Sequence, residues 1–360
     1  MVDPMLTGSL SSSRWWCILR QFLNTLYVQT EGTVLRLDHE NVIAEVDNEV
    51  KKRVPIHHLG SIVVIGRVLV TAPLSARCAK DGRTIVHLDS QGRFLFRIEG
   101  PKSGNVLLRT AQHHLARGTP SSLRIVQGFI AGKLYNSRQM LLRAGRETSD
   151  PDKRSELQGV AEEIQRDLRK ISSIADLNEL RGLEGINAKR YFAQFNNRLK
   201  PTVAISFAGR TRRPPRDPVN ALISFLYALL LNDIVGALEG VGLDPQVGFL
   251  HGLRPGRPSL ALDLMEEFRP ILADSLAVAL INRLQIQETH FQTFPGGAVH
   301  LNEKGRGVAV IAFQERKRDV ITHSLAGEKM EIGLVPHVQA RILARAIRKD
   351  HVEYEPFLYR

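Results

Sequence analysis

Three acids crowd into Asp263-Leu264-Met265-Glu266-Glu267 of this 360-residue chain. On a helix Asp263 shares a face with Glu266 and Glu267, and like charges so placed repel by about 0.2–0.5 kcal/mol per pair unless a cation sits among them. An acidic, exposed helix start accounts for the same residues, because the helix dipole favours carboxylates there. Upstream, Val247-Gly-Phe-Leu-His251-Gly252 reads as an apolar, strand-like run that delivers an imidazole to a Gly-bounded loop; a purely structural histidine fits equally. Glu184 lies in Arg181-Gly-Leu-Glu-Gly-Ile-Asn187, inside a predicted helix. Its two flanking glycines each cost a helix about 1 kcal/mol relative to Ala. That cost is tolerable where a packed helix or a substrate strand must approach the backbone; the plain alternative is a solvated Glu. Two carboxylates and one imidazole (Glu184, Glu266 and His251) suit Mg2+ or Mn2+, since oxygen ligands match hard cations and the nitrogen leans towards Mn2+. Such an ion polarises a phosphodiester and activates an attacking oxygen. The separations of the three residues along the chain are not diagnostic.

The charge says what such a site would act on. Lys plus Arg number 49 against 37 Asp plus Glu, a net +12, which favours a polyanionic partner such as nucleic acid. Two stretches hold no acid. Residues 101–146 carry Lys102, Arg109, Arg117, Arg124, Lys133, Arg138, Arg143 and Arg146; residues 185–216 carry Lys189, Arg190, Arg198, Lys200, Arg210, Arg212, Arg213 and Arg216. A solvated surface ordinarily mixes signs. Arg138, Arg143, Arg146, Lys189, Arg190, Arg210, Arg212, Arg213 and Arg216 are therefore candidate nucleic-acid contacts. The Pro-stiffened loop Arg210-Thr-Arg-Arg-Pro-Pro-Arg216 is suited to clamping a phosphate backbone without reading sequence.

Two elements must carry these residues. Strands are expected at 26–28 and 34–37, joined as a hairpin through Glu31-Gly32, then at 42–46, 54–56, 62–65, 85–88 and 94–98. A short helix after Thr71 ends at Lys80-Asp81-Gly82. Beyond Gly100 the periodicity turns helical: Ser121-Ser122 opens a helix to about 145, others cover 156–171 and 175–199, and Asp217-Pro218 is an N-cap followed by Pro at the first helical position. The helix it opens is apolar nearly all round and belongs in the core. Ser259 caps the next, which Pro270 kinks or restarts. The fold expected is a two-domain α+β chain: an extension over 1–22, a β-rich sandwich-like domain over 23–103 and an all-α domain over 104–360. With 43% hydrophobic and 24% charged residues the chain can bury a sizeable core, which excludes a disordered tail or a collagen-like repeat. Two cysteines, Cys17 and Cys78, build neither a disulfide framework nor a four-thiolate zinc site, so a cytoplasmic location is expected. The longest apolar run, Ala221 to Leu231, falls short of the roughly 20 residues of a membrane span, so no membrane association is expected.

Four segments in order resemble the CRISPR-associated integrase family, the catalytic subunit of spacer acquisition: Arg181-Gly-Leu-Glu-Gly-Ile-Asn-Ala-Lys-Arg-Tyr-Phe192, Arg213-Pro-Pro-Arg-Asp-Pro-Val-Asn220, Gly248-Phe-Leu-His-Gly252 and Ser259-Leu-Ala-Leu-Asp-Leu-Met-Glu-Glu-Phe-Arg-Pro270. The resemblance covers about 23–359 and includes Tyr354-Glu-Pro-Phe357. It implies a dimerising β-rich domain, a helical catalytic domain, and an Mg2+ or Mn2+ site of Glu184, His251 and Glu266 with Asp263 as a supporting acid. It further implies a DNA endonuclease and integrase that inserts short fragments into a repeat array through 3′-hydroxyl attack on a phosphodiester. The implied partners are double-stranded and branched DNA, a second copy of the chain, and a small ferredoxin-fold CRISPR-associated protein. The stretch before Leu23 departs from the family and carries no assigned role. A non-catalytic nucleic-acid scaffold and a metal-dependent repair nuclease are the competing readings.

Overall fold

A computed structural model describes residues 25–90, 92–101, 106–211, 214–325, 327–349 and 353–360. The expected extension over 1–22 and the boundary between 103 and 104 lie outside the described residues. The chain divides into two compact units, Met1–Pro101 and Lys102–Arg360.

The first unit is built from two four-stranded mixed sheets. One has the order β1 (Thr25–Val28), β5 (Ser61–Ile65), β7 (Thr84–Leu88), β8 (Phe94–Ile98); the other runs β4 (Glu49–Pro55), β3 (Asn41–Val46), β2 (Val34–Asp38), β6 (Leu69–Val70). Helix α1 (Ala72–Lys80) follows Thr71 as expected. Side chains from both sheets, among them Leu35, Val42, Ile62, Val64 and Ile85, join Leu74 and Cys78 of α1 in a single core. The expected hairpin of the first two strands does not form. β1 pairs parallel with β5, while β2 pairs with β3 and β6. Gly32, at φ 78°, turns the chain between sheets, and its N–H donates to Arg67 O at 2.9 Å. A Gly-containing turn is equally compatible with a strand changing sheets, and β5 supplies β1 with a neighbour that is apolar and buried from Ile62 to Ile65.

The second unit is mostly helical: α2 (Val106–Leu115), α3 (Pro120–Glu147), α4 (Pro151–Leu168), α5 (Leu177–Ala193), α6 (Pro218–Gly240), α7 (Ser259–Met265), α8 (Ser275–Asn282), α9 (Glu303–Lys317) and α10 (Val335–Arg348). It is not all-α. Two antiparallel ribbons interrupt the helices, β9 (Phe291–Thr293) with β10 (Val299–Leu301) and β11 (Val320–Thr322) with β12 (Lys329–Glu331). The first is closed by Gly296 and Gly297, both at positive φ, which a side chain would resist. Thr119, rather than Ser121-Ser122, caps α3, with its side chain accepting from Ser122 N.

Helix α6 starts as expected, Asp217 accepting from Asn220 N at 2.8 Å with Pro218 next. At 23 residues, with a mean hydropathy of 1.9 over its most apolar window, it is long and apolar enough to cross a membrane, unlike the shorter run read from the sequence. Most of that window is buried within the unit, as in a central core helix. Pro270, which lacks an N–H for the α-helical ladder, falls in a π-helical segment Arg269–Asp274 between α7 and α8.

Candidate active site

One carboxylate organises the His251 loop. Asp263, fully buried on α7, accepts Phe249 N–H at 2.6 Å and Leu250 N–H at 2.9 Å on Oδ2. On Oδ1 it accepts His251 N–H at 2.9 Å and the ring Nδ1 at 2.6 Å. These bonds need a loop, so 247–251 bends around Asp263 and is not the strand that its apolar composition suggests. Gly248 makes the wrap possible: a Cβ there would stand 2.7 Å from Asp263 Oδ2 and 2.7 Å from Ser259 C. Arg181 of α5 ties down the same loop, donating through Nε (2.9 Å) and Nη2 (2.6 Å) to Leu250 O.

With Nδ1 held by Asp263, the His251 Nε2 faces Glu266 Oε1 at 3.9 Å. A ring nitrogen anchored by a carboxylate leaves the other nitrogen oriented for a metal, the arrangement that protein metal sites use to aim a histidine. Glu266 is 2% exposed, and its Oε1 pairs with Arg269 Nη1 at 2.8 Å. Burial pushes its carboxyl upward, but Arg269, Lys133 and His251 together hold it well below the usual carboxylate range. Its buried Oε2 is held by the Lys133 ammonium at 2.7 Å. That ammonium also pairs with Glu184 Oε1 from α5.

Glu184, His251 and Glu266 thus face one neighbourhood, with a positive group already standing between the two acids. Among the described residues no three His, Cys, Asp or Glu side chains stand as a ready-made metal cluster. The donor set nevertheless fits a hard divalent cation. It offers a buried carboxylate, an aimed imidazole nitrogen and a second carboxylate, around a place where a cation, the ammonium of Lys133, is stable. The Glu184 and His251 side chains keep about a quarter of their surface, 25% and 22%, so this edge is open to a substrate. Gly182 and Gly185 beside Glu184 are exposed with nothing near their Cα hydrogens, so no packed helix explains them.

The three acids predicted on one face diverge. Asp263 serves the His251 loop and Glu266 serves the candidate site. Glu267, also fully buried, accepts from Phe357 N at 2.9 Å, Gln339 Nε2 at 3.2 Å and the Tyr354 hydroxyl. Burial pushes the Glu267 carboxyl up to about 8 against those donors. Helix α7 ends at Met265, but Glu266 keeps helical φ and ψ, so the different partners of the three acids come from what packs around them.

The basic candidates scatter. Arg146, Lys189 and Arg216 are exposed, as is Arg143, which pairs with Glu147 at 2.8 Å. Arg190 pairs with Glu163 and Asp167 of α4 at 2.9 and 2.8 Å, and Arg138 is half-buried. Arg210 turns inward: Nη1 donates to Asn220 Oδ1 at 2.7 Å, and its guanidinium lies over Tyr227 at 5.4 Å and Phe192 at 5.8 Å. Arg212 and Arg213 lie outside the described residues.

A family model described as CRISPR associated protein Cas1 matches residues 26–315. The chain belongs to that family. A Moorella thermoacetica relative named CRISPR-associated endonuclease Cas1 1 is 52% identical over 339 residues, spanning 94% of this chain and 99% of the relative. Among solved structures, a casposase bound to integration product superposes with a TM-score of 0.77 at 23% identity, covering 94% of each chain. A Cas6-RT-Cas1–Cas2 complex gives a TM-score of 0.77 at 23% identity, covering 93% of this chain and 36% of that one. These two likenesses speak for the fold.

In this Cas1 chain the sequence reading overlooked Lys133 and Arg269 as members of the site. Lys133 was one more charge in an acid-free stretch, although a lysine within a helix as apolar as Phe129-Ile-Ala-Gly-Lys-Leu134 is a signal for a buried ion pair. Arg269, three residues after Glu266, had the spacing of a helical ion pair.

Proposed function

We propose that this chain is a metal-dependent DNA endonuclease and integrase of CRISPR adaptation, which inserts short DNA fragments into a repeat array by 3′-hydroxyl attack on a phosphodiester. The observation that carries the reading is Glu266, a buried carboxylate that shares the Lys133 ammonium with Glu184 and faces an imidazole that Asp263 holds through four hydrogen bonds to its loop and ring. Glu184, His251 and Glu266 would hold Mg2+ or Mn2+, which would supply positive charge to the transferring phosphate and acidify the attacking hydroxyl. Asp263 is the supporting acid that aims His251, and Arg269 keeps Glu266 ionised. The exposed Lys189, Arg216, Arg143 and Arg146 hold DNA through phosphates, which gives affinity without sequence preference. With water in place of the hydroxyl, the same site cuts DNA.

The substrates in this reading are double-stranded and branched DNA, and the place of action is the cytoplasm. A homodimer forms through the β-rich unit. In support, the edge strand β8 exposes Phe94 (57%), Leu95 (55%) and Phe96 (49%), an apolar edge suited to pairing with a second copy. A small ferredoxin-fold partner completes the adaptation complex; the Cas1–Cas2 assembly named for one structural neighbour supports a partner of this kind.

The test is strand transfer and cleavage on branched DNA with a free 3′-hydroxyl, in Mg2+, Mn2+ or EDTA, comparing wild type with Glu266→Gln. Expected is metal-dependent activity in the wild type, and DNA binding without chemistry in the variant. Activity retained by Glu266→Gln would remove Glu266 from the ligand set. If DNA binding persists but neither protein acts, even with the small partner added, the scaffold reading takes its place.

A further inference from the structure

We infer that Lys133 is an internal counter-cation of the candidate metal site, exchanging places with the divalent ion between Glu184 and Glu266 and retreating onto Asn187. The inference rests on the metal reading above and concerns how the site is held before metal arrives.

Lys133 projects from α3 and only 10% of its side chain is exposed, so its charge has little access to water. Its ammonium pairs with Glu184 and, at 2.7 Å, with Glu266 Oε2. Arg269 already occupies Glu266 Oε1, so Lys133 joins the second oxygen to Glu184. Two carboxylates turned towards each other in a site closed on one side repel strongly without a cation between them. Lys133 supplies one and keeps both acids aimed at a common point. Lysine suits an exchange better than arginine, because its charge is compact and its four-carbon stem swings freely.

Room for the retreat lies beside the site. A small cavity is lined by Lys133, Ser137, Asn187, Tyr227, Arg269 and Asp274 among others. Asn187 is 1% exposed, and its Nδ2 is committed to Asp167 Oδ2 at 3.0 Å and Leu183 O at 2.9 Å. Its Oδ1, however, is buried with no hydrogen-bond partner. An orphaned acceptor in a cavity that Lys133 also lines is a berth for an ammonium. Asn187 follows Glu184 by three residues on α5, so the ammonium moves about 4.5 Å along that helix. Asp274 lines the same cavity, so the displaced charge also finds a carboxyl nearby.

The experiment measures Mn2+ affinity of the full chain by electron paramagnetic resonance of the free ion, and thermal unfolding in EDTA and in Mn2+. Wild type, Lys133→Met, Asn187→Ala and the double variant are compared. Removing the competing charge is expected to tighten Mn2+ binding about tenfold, within the range of ordinary coupling between sites. Lys133→Met should also lower the unfolding temperature in EDTA and regain it in Mn2+. Asn187→Ala removes the berth and should weaken Mn2+ binding about threefold, but only while Lys133 is present, so the double variant matches Lys133→Met; coupling of this size is what a double-mutant cycle resolves. If Lys133→Met does not fold in EDTA, Lys133→Gln, which keeps a polar end without the charge, is measured the same way. Equal Mn2+ affinity in wild type and Lys133 variants overturns the exchange and leaves the metal site standing. Absence of Mn2+ binding in every protein overturns the metal reading and the exchange with it.

Discussion

Replacing Asp263 by Asn changes one atom and tests the whole account of the His251 loop. Each carboxylate oxygen accepts two donors: Phe249 N–H and Leu250 N–H on Oδ2, His251 N–H and the His251 ring on Oδ1. Whichever way the amide turns, its NH2 faces at least one backbone N–H from which it cannot accept; on the His251 side the ring can answer by moving its proton to Nε2. Gly248 closes off escape, since a Cβ there would already stand within 2.7 Å of Oδ2. At least one hydrogen bond to a charged group is lost, a cost of about 1.5–3 kcal/mol. Folded chains hold a total of about 5–15 kcal/mol, so this is a substantial share. At about 2–4 °C per kcal/mol for a unit of this size, the unfolding temperature drops by roughly 3–12 °C. The assay is thermal unfolding, paired with metal-dependent DNA cleavage below the lowered transition. Cleavage should fall as well, because the imidazole loses its anchor. An unfolding temperature within about 2 °C of wild type would refute the reasoning, since every arrangement of the amide leaves a buried backbone N–H without an acceptor.

Two further outcomes follow from other parts of the chain. Burial, reinforced by Lys317 and Arg341, pushes the half-buried His337 imidazole down to about 3, whereas it titrates near 6.5 in an unfolded chain. Below pH 6.5 the unfolded state takes up a proton that the folded state refuses, so stability is full above 6.5 and falls by up to about 1.4 kcal/mol per pH unit on acidification. His337→Gln should flatten the fall in urea midpoint between pH 6.5 and 5; parallel curves would count against it. For DNA binding, Lys189→Ala and Arg216→Ala should each reduce the slope of log affinity against log salt by about one. Arg210→Ala should leave the slope alone and lower the unfolding temperature, because its guanidinium is spent on Asn220 and two aromatic rings.

Local signals read well from the sequence where the chemistry is local. Asp217-Pro218 opens α6, because caps and proline act over three or four residues, whereas Thr71 stands at the start of α1 without a side-chain cap bond. The β1–β2 hairpin failed for the opposite reason: strand partners are chosen by packing across the sheet, and nothing within Tyr27–Val34 says that β5 will be the neighbour. The β9–β10 ribbon was legible and overlooked, since Phe294-Pro-Gly-Gly297 between short apolar runs is turn chemistry. Charge segregation along the chain proved a partial guide. Arg190 finds its acids on α4, Arg210 stacks on rings, and Lys133 neutralises Glu184 and Glu266. An acid-free stretch thus serves the interior as well as a partner, and only the fold tells the two uses apart.

The register of the site is set by α3 and the C-terminal segment together. Gly128, Gly132 and Asn136 repeat every fourth residue and so line one face of α3. A Cβ on Gly128 would stand 2.8 Å from the Tyr354 ring, and one on Gly132 would stand 2.8 Å from Glu267 Cγ and 2.9 Å from Pro356 Cβ. The two glycines therefore let the segment 354–357 and Glu267 lie directly on the helix. Asn136 then donates to Glu267 O at 2.8 Å and Phe357 O at 2.9 Å, and accepts from Tyr359 N at 2.8 Å. Lys133 is one residue beyond Gly132, and Glu266 is one residue before Glu267. Docking Glu267 on the glycine row therefore brings Glu266 to Lys133 on the adjacent row. The buried bonds of Glu267 do no chemistry on a substrate, yet they fix which helix face the neighbouring acid meets. A metal ligand placed by its neighbour's packing explains why the run Glu266-Glu267 carries two acids with different surroundings, one open to the site and one sealed beneath Tyr354.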